Sequence, residues 1–428
     1  VTARRLAVNA IARVEGEGAL RLVVEDGRVH TAELNIYEPP RFFEALLRGR
    51  AWTEPPDITS RICGICPVAY QTSACNALEA ACGVTLDGPL ADLRRLVYCG
   101  EWISSHALHI HLLHAPDFLG FPDGIAMAGE HRGVLERGLA LKKTGNALME
   151  LLGGRAIHPV NVRVGGFYSV PARADLAPMR ERLLGALDQA REVVRWVAGF
   201  DFPDFETDHD LLSASEPGRY PIDRGSVVTS TGAAFPAEEF PAHVVERQVP
   251  HSTALHASLD GRRYLTGPLA RYSLNSALLG PAAREAAAEA GLGPECRNPF
   301  RSIVVRAVEV VYAVEEALRL IDGYERPDRP CAEVTPRAGT GHGVSEAPRG
   351  LLYHRYTLDE AGLVTAAAIV PPTSQNQAAI EDDLCRLAST RLGLGDDALA
   401  LFCERAIRNH DPCISCATHF LDLTVVRR

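Results

Sequence analysis

Four cysteines in two Cys-x-x-Cys steps carry the most chemistry in this chain. Cys63 and Cys66 lie in Arg61-Ile62-Cys63-Gly64-Ile65-Cys66-Pro67, and Cys413 and Cys416 lie in Asp411-Pro412-Cys413-Ile414-Ser415-Cys416-Ala417-Thr418-His419. Such a step lets two thiolates address one centre, and two steps can complete a sulfur shell for a soft transition metal. An isolated step reads best as a structural zinc knuckle or as two buried thiols. Structural zinc sites close over short loops, however, because they staple small folds. Here nearly the whole chain separates the pairs, so the site forms only if the fold brings its two ends together. Pro67 and Pro412 stiffen the loops that bear the thiolates. This is the pattern of an active centre buried in a large core.

The elements that must position these thiols are legible in outline. Residues 19–24 and 29–34 alternate around Asp26-Gly27, which predicts a hairpin near the amino end. Helical periodicity follows near 88–114, 134–152 and 178–199, and is clearest over 303–322. There Val304, Val308, Val311, Val314, Leu318 and Ile321 form an apolar stripe, Ser302 caps the start, Gly323 ends it, and Glu315 pairs with Arg319. Between about 200 and 275 the helical period gives way to Pro, Gly, Ser and Asp, which predicts an excursion of loops and short strands. The expected fold is a helix-rich α+β protein, a single domain over 1–428, with a central helix bundle, short peripheral β elements and both ends docked centrally.

At 428 residues and 46% apolar, the chain can bury a large core. Its 44 basic and 54 acidic side chains give a net charge of −10, which argues against a nucleic-acid partner. No apolar run reaches the roughly 20 residues of a membrane span, and Val1-Thr2-Ala3-Arg4-Arg5 does not open a signal peptide. Eleven irregularly spaced cysteines fit free thiols and a metal site in a reducing cytoplasm better than a disulfide framework. The seven outside the steps (75, 82, 99, 296, 331, 385 and 403) are expected to be core thiols. His106, His109, His111 and His114 do not share one helical face and are not read as ligands. Gly339-Thr340-Gly341-His342-Gly343 lacks the βαβ setting of a nucleotide loop and is expected to let backbone approach the Arg349 region.

The two cysteine steps, taken with five further segments, resemble the large, catalytic subunit of nickel–iron hydrogenases. Those segments are Arg13-Val14-Glu15-Gly16; Arg41-Phe42-Phe43-Glu44 with Gly49-Arg50; His158-Pro159 with Gly165-Gly166-Phe167; Glu346-Ala347-Pro348-Arg349-Gly350; and Pro372-Thr373-Ser374-Gln375-Asn376. The resemblance implies the fold above, with four thiolates on nickel. Cys63 and Cys413 would be terminal, and Cys66 and Cys416 would bridge to an iron carrying cyanide and carbon monoxide. Cys413 would be the first proton acceptor and Glu15 the next carboxylate in the relay, a role that requires a pKa raised by burial. Arg349 would hang over the metals, and Thr373 after Pro372 (or Ser374, one residue on) would donate to a cyanide. Glu44, His419 and a backbone carbonyl near Ile369 would hold a further magnesium or iron.

Two positions depart from the family pattern: Tyr70 and Glu17 stand where histidines are common. Both resemble the cytosolic, NAD(P)-linked, sulfhydrogenase-like branch. The implied partners are an iron–sulfur small subunit, then flavin-bearing NAD(P)-reductase and ferredoxin-like subunits. The segment after His419, Phe420 to Arg428, raises the question of whether it is cleaved. A hydrogen-sensing subunit with the same centre and a zinc-stapled structural protein are the competing readings.

Overall fold

The computed structural model describes residues 4–419, so the question of the segment after His419 lies outside the described residues. The amino end forms an antiparallel sheet of β1 (Arg4–Val8), β2 (Gly18–Glu25) and β3 (Arg28–Ile36), in that order. Asp26 and Gly27 both adopt positive φ, the primed-turn geometry that the hairpin signal anticipates. Buried and exposed residues alternate along β2, and its inner face packs with residues of two late helices into a separate apolar cluster.

Next come α1 (Pro67–Cys82), α2 (Gly88–Leu108), α3 (Gly124–Gly153) and α4 (Arg173–Ala198). One wider helical turn, His109–His114, extends α2. The excursion contains β4 (Asp210–Ser215), β5 (Ser226–Thr229) and the hairpin β6 (Val244–Val249) with β7 (Ser252–Leu259). After it come α5 (Pro281–Glu289) and α6 (Ser302–Asp322), then a three-stranded antiparallel sheet of β8 (Gly339–Ala347), β9 (Gly350–Leu358) and β10 (Val364–Val370). The helices α7 (Pro372–Ser389) and α8 (Asp396–Arg408) precede the last cysteines.

The helices α2, α3, α4 and α6 pack together around the main core. Helix α6 is buried on nearly every side: Val305, Val310, Ala313 and Ala317 are as enclosed as the expected stripe. A helix apolar all round belongs at the centre of a large fold. Its expected polar details differ, however. Ser302 is the first helical residue and does not cap; its hydroxyl donates to the Asn409 carbonyl (2.6 Å), tying α6 to the loop before Cys413. Glu315 leaves Arg319 and instead accepts from the Ala282 and Ala283 N–H groups, capping α5, while Arg319 pairs with Glu316. Tertiary donors win because the four leading amides of a helix have no partner within it.

The glycines of β8 approach helix α1, not the Arg349 site. A Cβ on Gly341 would lie 2.0 Å from the Ala77 carbonyl, and one on Gly343 2.6 Å from the Ser73 carbonyl. Sheet and helix therefore pack backbone to backbone. Helix α1 starts at the residue after Cys66, so this contact fixes the first cysteine loop.

Candidate metal centre

The four cysteines of the two steps meet in the core. Their ligand atoms all lie within 4.8 Å of one another, and all four residues are buried. Cys63 Sγ is 3.5 Å from Cys413 Sγ, and Cys66 Sγ is 3.5 Å from Cys416 Sγ. Two sulfurs bound to one ion at about 2.3 Å in a tetrahedral shell stand about 3.7 Å apart, a spacing these two pairs approach, whereas Cys413 Sγ and Cys416 Sγ, 2.6 Å apart, must separate by about 1 Å for all four thiolates to share a metal. Hydrogen bonding from Cys413 holds the Cys63 thiol well below its ordinary value, whereas burial pushes Cys413 up.

Both loops are held by the segments that surround them in the resemblance. The Arg41 guanidinium donates to Ile62 O (2.7 Å) in one cysteine loop and to Ser415 O in the other. His158 Nδ1 meets Ser60 O at 2.7 Å, and Gln71 donates to Pro159 O at 2.7 Å. At the amino end Arg13 is paired with Asp117, which also pairs with Arg408. Those ion pairs fix the Arg13-Val14-Glu15-Gly16 turn, where the Glu15 carbonyl accepts from Ile414 N (2.9 Å). A Cβ on Gly16, at φ +89°, would meet the Ile414 side chain at 2.6 Å, so only glycine allows this approach.

Glu15 reaches the cluster: its Oε2 lies 3.1 Å from Cys413 Sγ and 3.1 Å from Ser415 N. Burial, and then the charge of Cys63, raises its pKa. Arg349 donates from Nε to Asp411 O (2.9 Å) and from Nη2 to Asp411 Oδ1 (3.1 Å), while its buried Nη1 has no partner among the described residues. Burial opposes the Arg349 charge, but Asp411 and the thiolates outweigh it and hold the group protonated. Thr373 Oγ1 accepts from Cys413 N (2.9 Å), which leaves its hydroxyl hydrogen free to donate. Pro372 opens α7 at its first position, where the missing N–H costs nothing, and Ser374 is buried in the same turn. The Tyr70 hydroxyl is also buried without a partner among the described residues. Burial, followed by the charges of Cys416 and Cys66, raises its pKa. Unpaired buried donors beside four thiols mark room for a polar, metal-borne group.

Glu44 and His419 also converge, at one end of this centre. Glu44 Oε1 is 3.8 Å from His419 Nε2 and accepts from Ile369 N (2.7 Å), and His419 Nε2 is 2.7 Å from Ile369 O. A carboxylate, an imidazole and a carbonyl suit a hard or borderline cation.

Some side chains of the site are missed by the sequence analysis. Asp411 is the ion-pair partner of Arg349. Glu101 from α2 accepts from Val68 N (2.6 Å) and Ala69 N (3.1 Å), holding the start of α1 beside Cys66. Glu246 faces Glu44 and His419, and burial lifts its pKa to about 8. Asp411 sits visibly before Cys413, but nothing near positions 101 or 246 signals a role. The four histidines are buried and lie outside the thiol cluster: His109 meets Arg408 O, His114 meets Asn409, His111 meets Ala107 O and His106 lies 3.0 Å from Glu309. Of the remaining cysteines, Cys331 and Cys385 are half-buried and so are not core thiols; the other five are buried.

Fold and site together define a helix-rich α+β protein with a buried four-cysteine cluster at the meeting of its two ends. Comparison with known proteins agrees. The nickel-dependent hydrogenase family matches over residues 41–129 and 300–419. The alpha chain of sulfhydrogenase 1 from Pyrococcus furiosus is 34% identical over 98% of each chain. A chain of the F420-non-reducing hydrogenase from Methanothermobacter marburgensis is 29% identical over 98% of this chain and 95% of that one. A solved NAD+-reducing [NiFe]-hydrogenase chain superposes with a TM-score of 0.86 at 28% identity, covering 97% of this chain and 99% of that one. The Ni-Fe-Se hydrogenase of D. vulgaris Hildenborough, at 22% identity and a TM-score of 0.78, shows the shared fold.

This chain belongs to the nickel-dependent hydrogenase family, as a large, catalytic subunit of the sulfhydrogenase-like branch. Nickel and iron are the metals that this membership supports. No helix of the described residues is long and apolar enough to cross a membrane.

Proposed function

We propose that this chain reversibly oxidises hydrogen to two protons and two electrons, residues 1–428 acting as one catalytic domain. The observation that carries the reading is the Cys413 Sγ to Glu15 Oε2 contact at 3.1 Å, inside a buried four-thiol cluster overhung by Arg349. Cys63, Cys66, Cys413 and Cys416 would together hold the nickel and iron. When bound, the metal pair supplies heterolytic activation of hydrogen and storage of its electrons. Cys413 Sγ takes the proton and passes it to Glu15 Oε2, the carboxylate within hydrogen-bonding reach. Arg349 Nη1 and the Thr373 hydroxyl, or that of Ser374 one residue on, would donate to the cyanide ligands of the iron. Glu44, His419 and Ile369 O would hold magnesium or iron at the second site, pinning the segment that bears the last cysteines.

The electrons require a partner, which we take to be an iron–sulfur small subunit. Ferredoxin-like and flavin-bearing reductase subunits would then carry them to NAD(P) in the cytoplasm. The sulfhydrogenase alpha-chain relatives and the NAD+-reducing structural neighbour support this assembly. The test is infrared spectroscopy of the isolated protein with nickel and iron counts, followed by hydrogen–deuterium exchange in Glu15→Gln. Cyanide and carbonyl stretches, with exchange suppressed at unchanged metal content, are expected. Zinc without nickel would overturn the centre, and full exchange in Glu15→Gln would remove the relay.

A further inference from the structure

A second cluster of ligand-bearing side chains lies where the β6–β7 hairpin meets α7, and the thiol centre does not use it. His251 at the hairpin turn, His256 on β7 and Glu381 on α7 present ligand atoms within 4.8 Å of one another. His251 Nε2 is 2.8 Å from Glu381 Oε1, and His256 Nε2 is 3.9 Å from the same oxygen. We infer that these three residues form a binding site for a borderline divalent cation of the zinc or cobalt type.

The backbone is shaped to bring the imidazoles together. Positions five apart on a regular strand face opposite sides of a sheet. The β6–β7 register shifts between Ser252 and His256, and such an irregularity re-aims the side chains beyond it. Both histidines can therefore turn to one carboxylate.

A histidine–glutamate bond that merely pins the hairpin would need only His251. His256 is 3% exposed, yet its Nε2 has no hydrogen-bond partner among the described residues and points towards the Glu381 oxygen. A buried ring nitrogen without a partner is destabilising, and a cation shared with Glu381 would satisfy it. Glu381 Oε1 also accepts from Leu34 N (2.9 Å), the kind of outer contact that orients a ligating carboxylate. Of the nearby charges, Arg247 opposes a cation and Glu33 favours one.

Two imidazoles and a carboxylate match zinc-type ions better than magnesium or calcium, which prefer all-oxygen shells. Ligands on one such ion lie about 3.4 Å apart, so binding opens the 2.8 Å His251 separation and closes the 3.9 Å His256 separation, each by about half an ångström. Bound there, the ion would fasten the hairpin to α7, whose first turn carries Thr373 to the thiol centre.

The probe is cobalt(II), added to the nickel-loaded holoenzyme so that the four thiolates are already occupied, and followed by visible absorption and metal counting. One equivalent should bind with weak d–d bands and without thiolate charge-transfer absorption. His256→Ala should weaken that binding by at least about a hundredfold, more than loss of an outer-shell partner does. His251→Gln, at the half-exposed hairpin turn, should do the same and is the informative variant if His256→Ala fails to fold. Failure of the holoenzyme to take up cobalt, a thiolate charge-transfer band, or equal uptake by a folded variant would each overturn the site.

Discussion

Removal of the Arg271 side chain offers a quantitative test of what holds the centre. Arg271 is fully buried: it bonds both oxygens of Glu309 at 2.7 and 2.8 Å, reaches Glu346 at 2.6 Å and lies 4.2 Å over the Trp102 ring. Glu346 begins the segment that ends at Arg349, so this network supports the arginine over the thiols. Burial pushes Glu309 up, but the Arg271 charge and hydrogen bonds overcome it and hold the carboxyl at about 2, against an ordinary 4.5. At 1.36 kcal/mol per pH unit that interval corresponds to about 3 kcal/mol. Stranding one member of a buried ion pair costs about 3–5 kcal/mol by comparison.

Glu309's contribution is complete above about pH 4.5 and fades as pH falls towards 2. In Arg271→Met the stranded carboxyl must bind a proton to stay buried, which is harder at higher pH. The stability gap to the parent protein should therefore widen between about pH 5 and pH 8. With an unfolding entropy of about 2.1 cal/mol/K per residue, 428 residues give about 0.9 kcal/mol/K. The midpoint by scanning calorimetry should fall by about 3–5 °C near pH 7. Arg271→Met with Glu309→Gln should recover part of the loss, because one of the two stranded carboxyls, Glu309 and not Glu346, is gone. An unchanged midpoint, a gap insensitive to pH, or a double variant no better than Arg271→Met would refute the electrostatic reasoning.

Cys413→Ser should abolish nickel retention, checked by metal analysis of the purified protein; normal nickel with normal activity would break the site assignment. Gly341→Ala should destabilise by at least about 1–3 kcal/mol in urea titrations, because its Cβ has no room against α1. Glu315→Ala should cost about 1 kcal/mol through the lost cap of α5, a loss that the expected Arg319 pairing would not produce. Tyr70→Phe should leave apo stability unchanged or slightly raised, since its hydroxyl has no partner among the described residues, yet shift the infrared bands of the loaded centre.

Local chemistry accounts for what the sequence made legible. The Asp26-Gly27 hairpin and the α6 period are written within a few residues, and the Cys-x-x-Cys steps announce ligand geometry wherever they lie. Glu15, Arg349, Thr373, Glu44 and His419 were located through their place in family-like segments, and the structure brings all five to the thiols or to the adjoining carboxylate site. Distant pairings left no local mark. Ser302 looked like a cap, yet its hydroxyl turns to Asn409, and Glu315 looked like a partner for Arg319, yet it serves another helix. Glu101, Glu246 and the double role of Arg41 depend on residues brought together from remote parts of the chain, which periodicity cannot report.

The separation of the two cysteine steps also imposes a timetable on synthesis. Cys413 follows Cys63 by 350 residues, and a ribosome adds roughly 5–20 residues per second. The nascent chain therefore carries a half-built thiol shell for roughly 18–70 seconds before its other half exists. During that interval α1 and its cysteine loop can begin to fold, but Arg41 lacks its Ser415 contact and Glu15 lacks Cys413. The amino-terminal pair is then an open dithiol, exposed to whatever soft cation arrives first. The complete four-thiol set therefore exists only after the last part of the chain has been made.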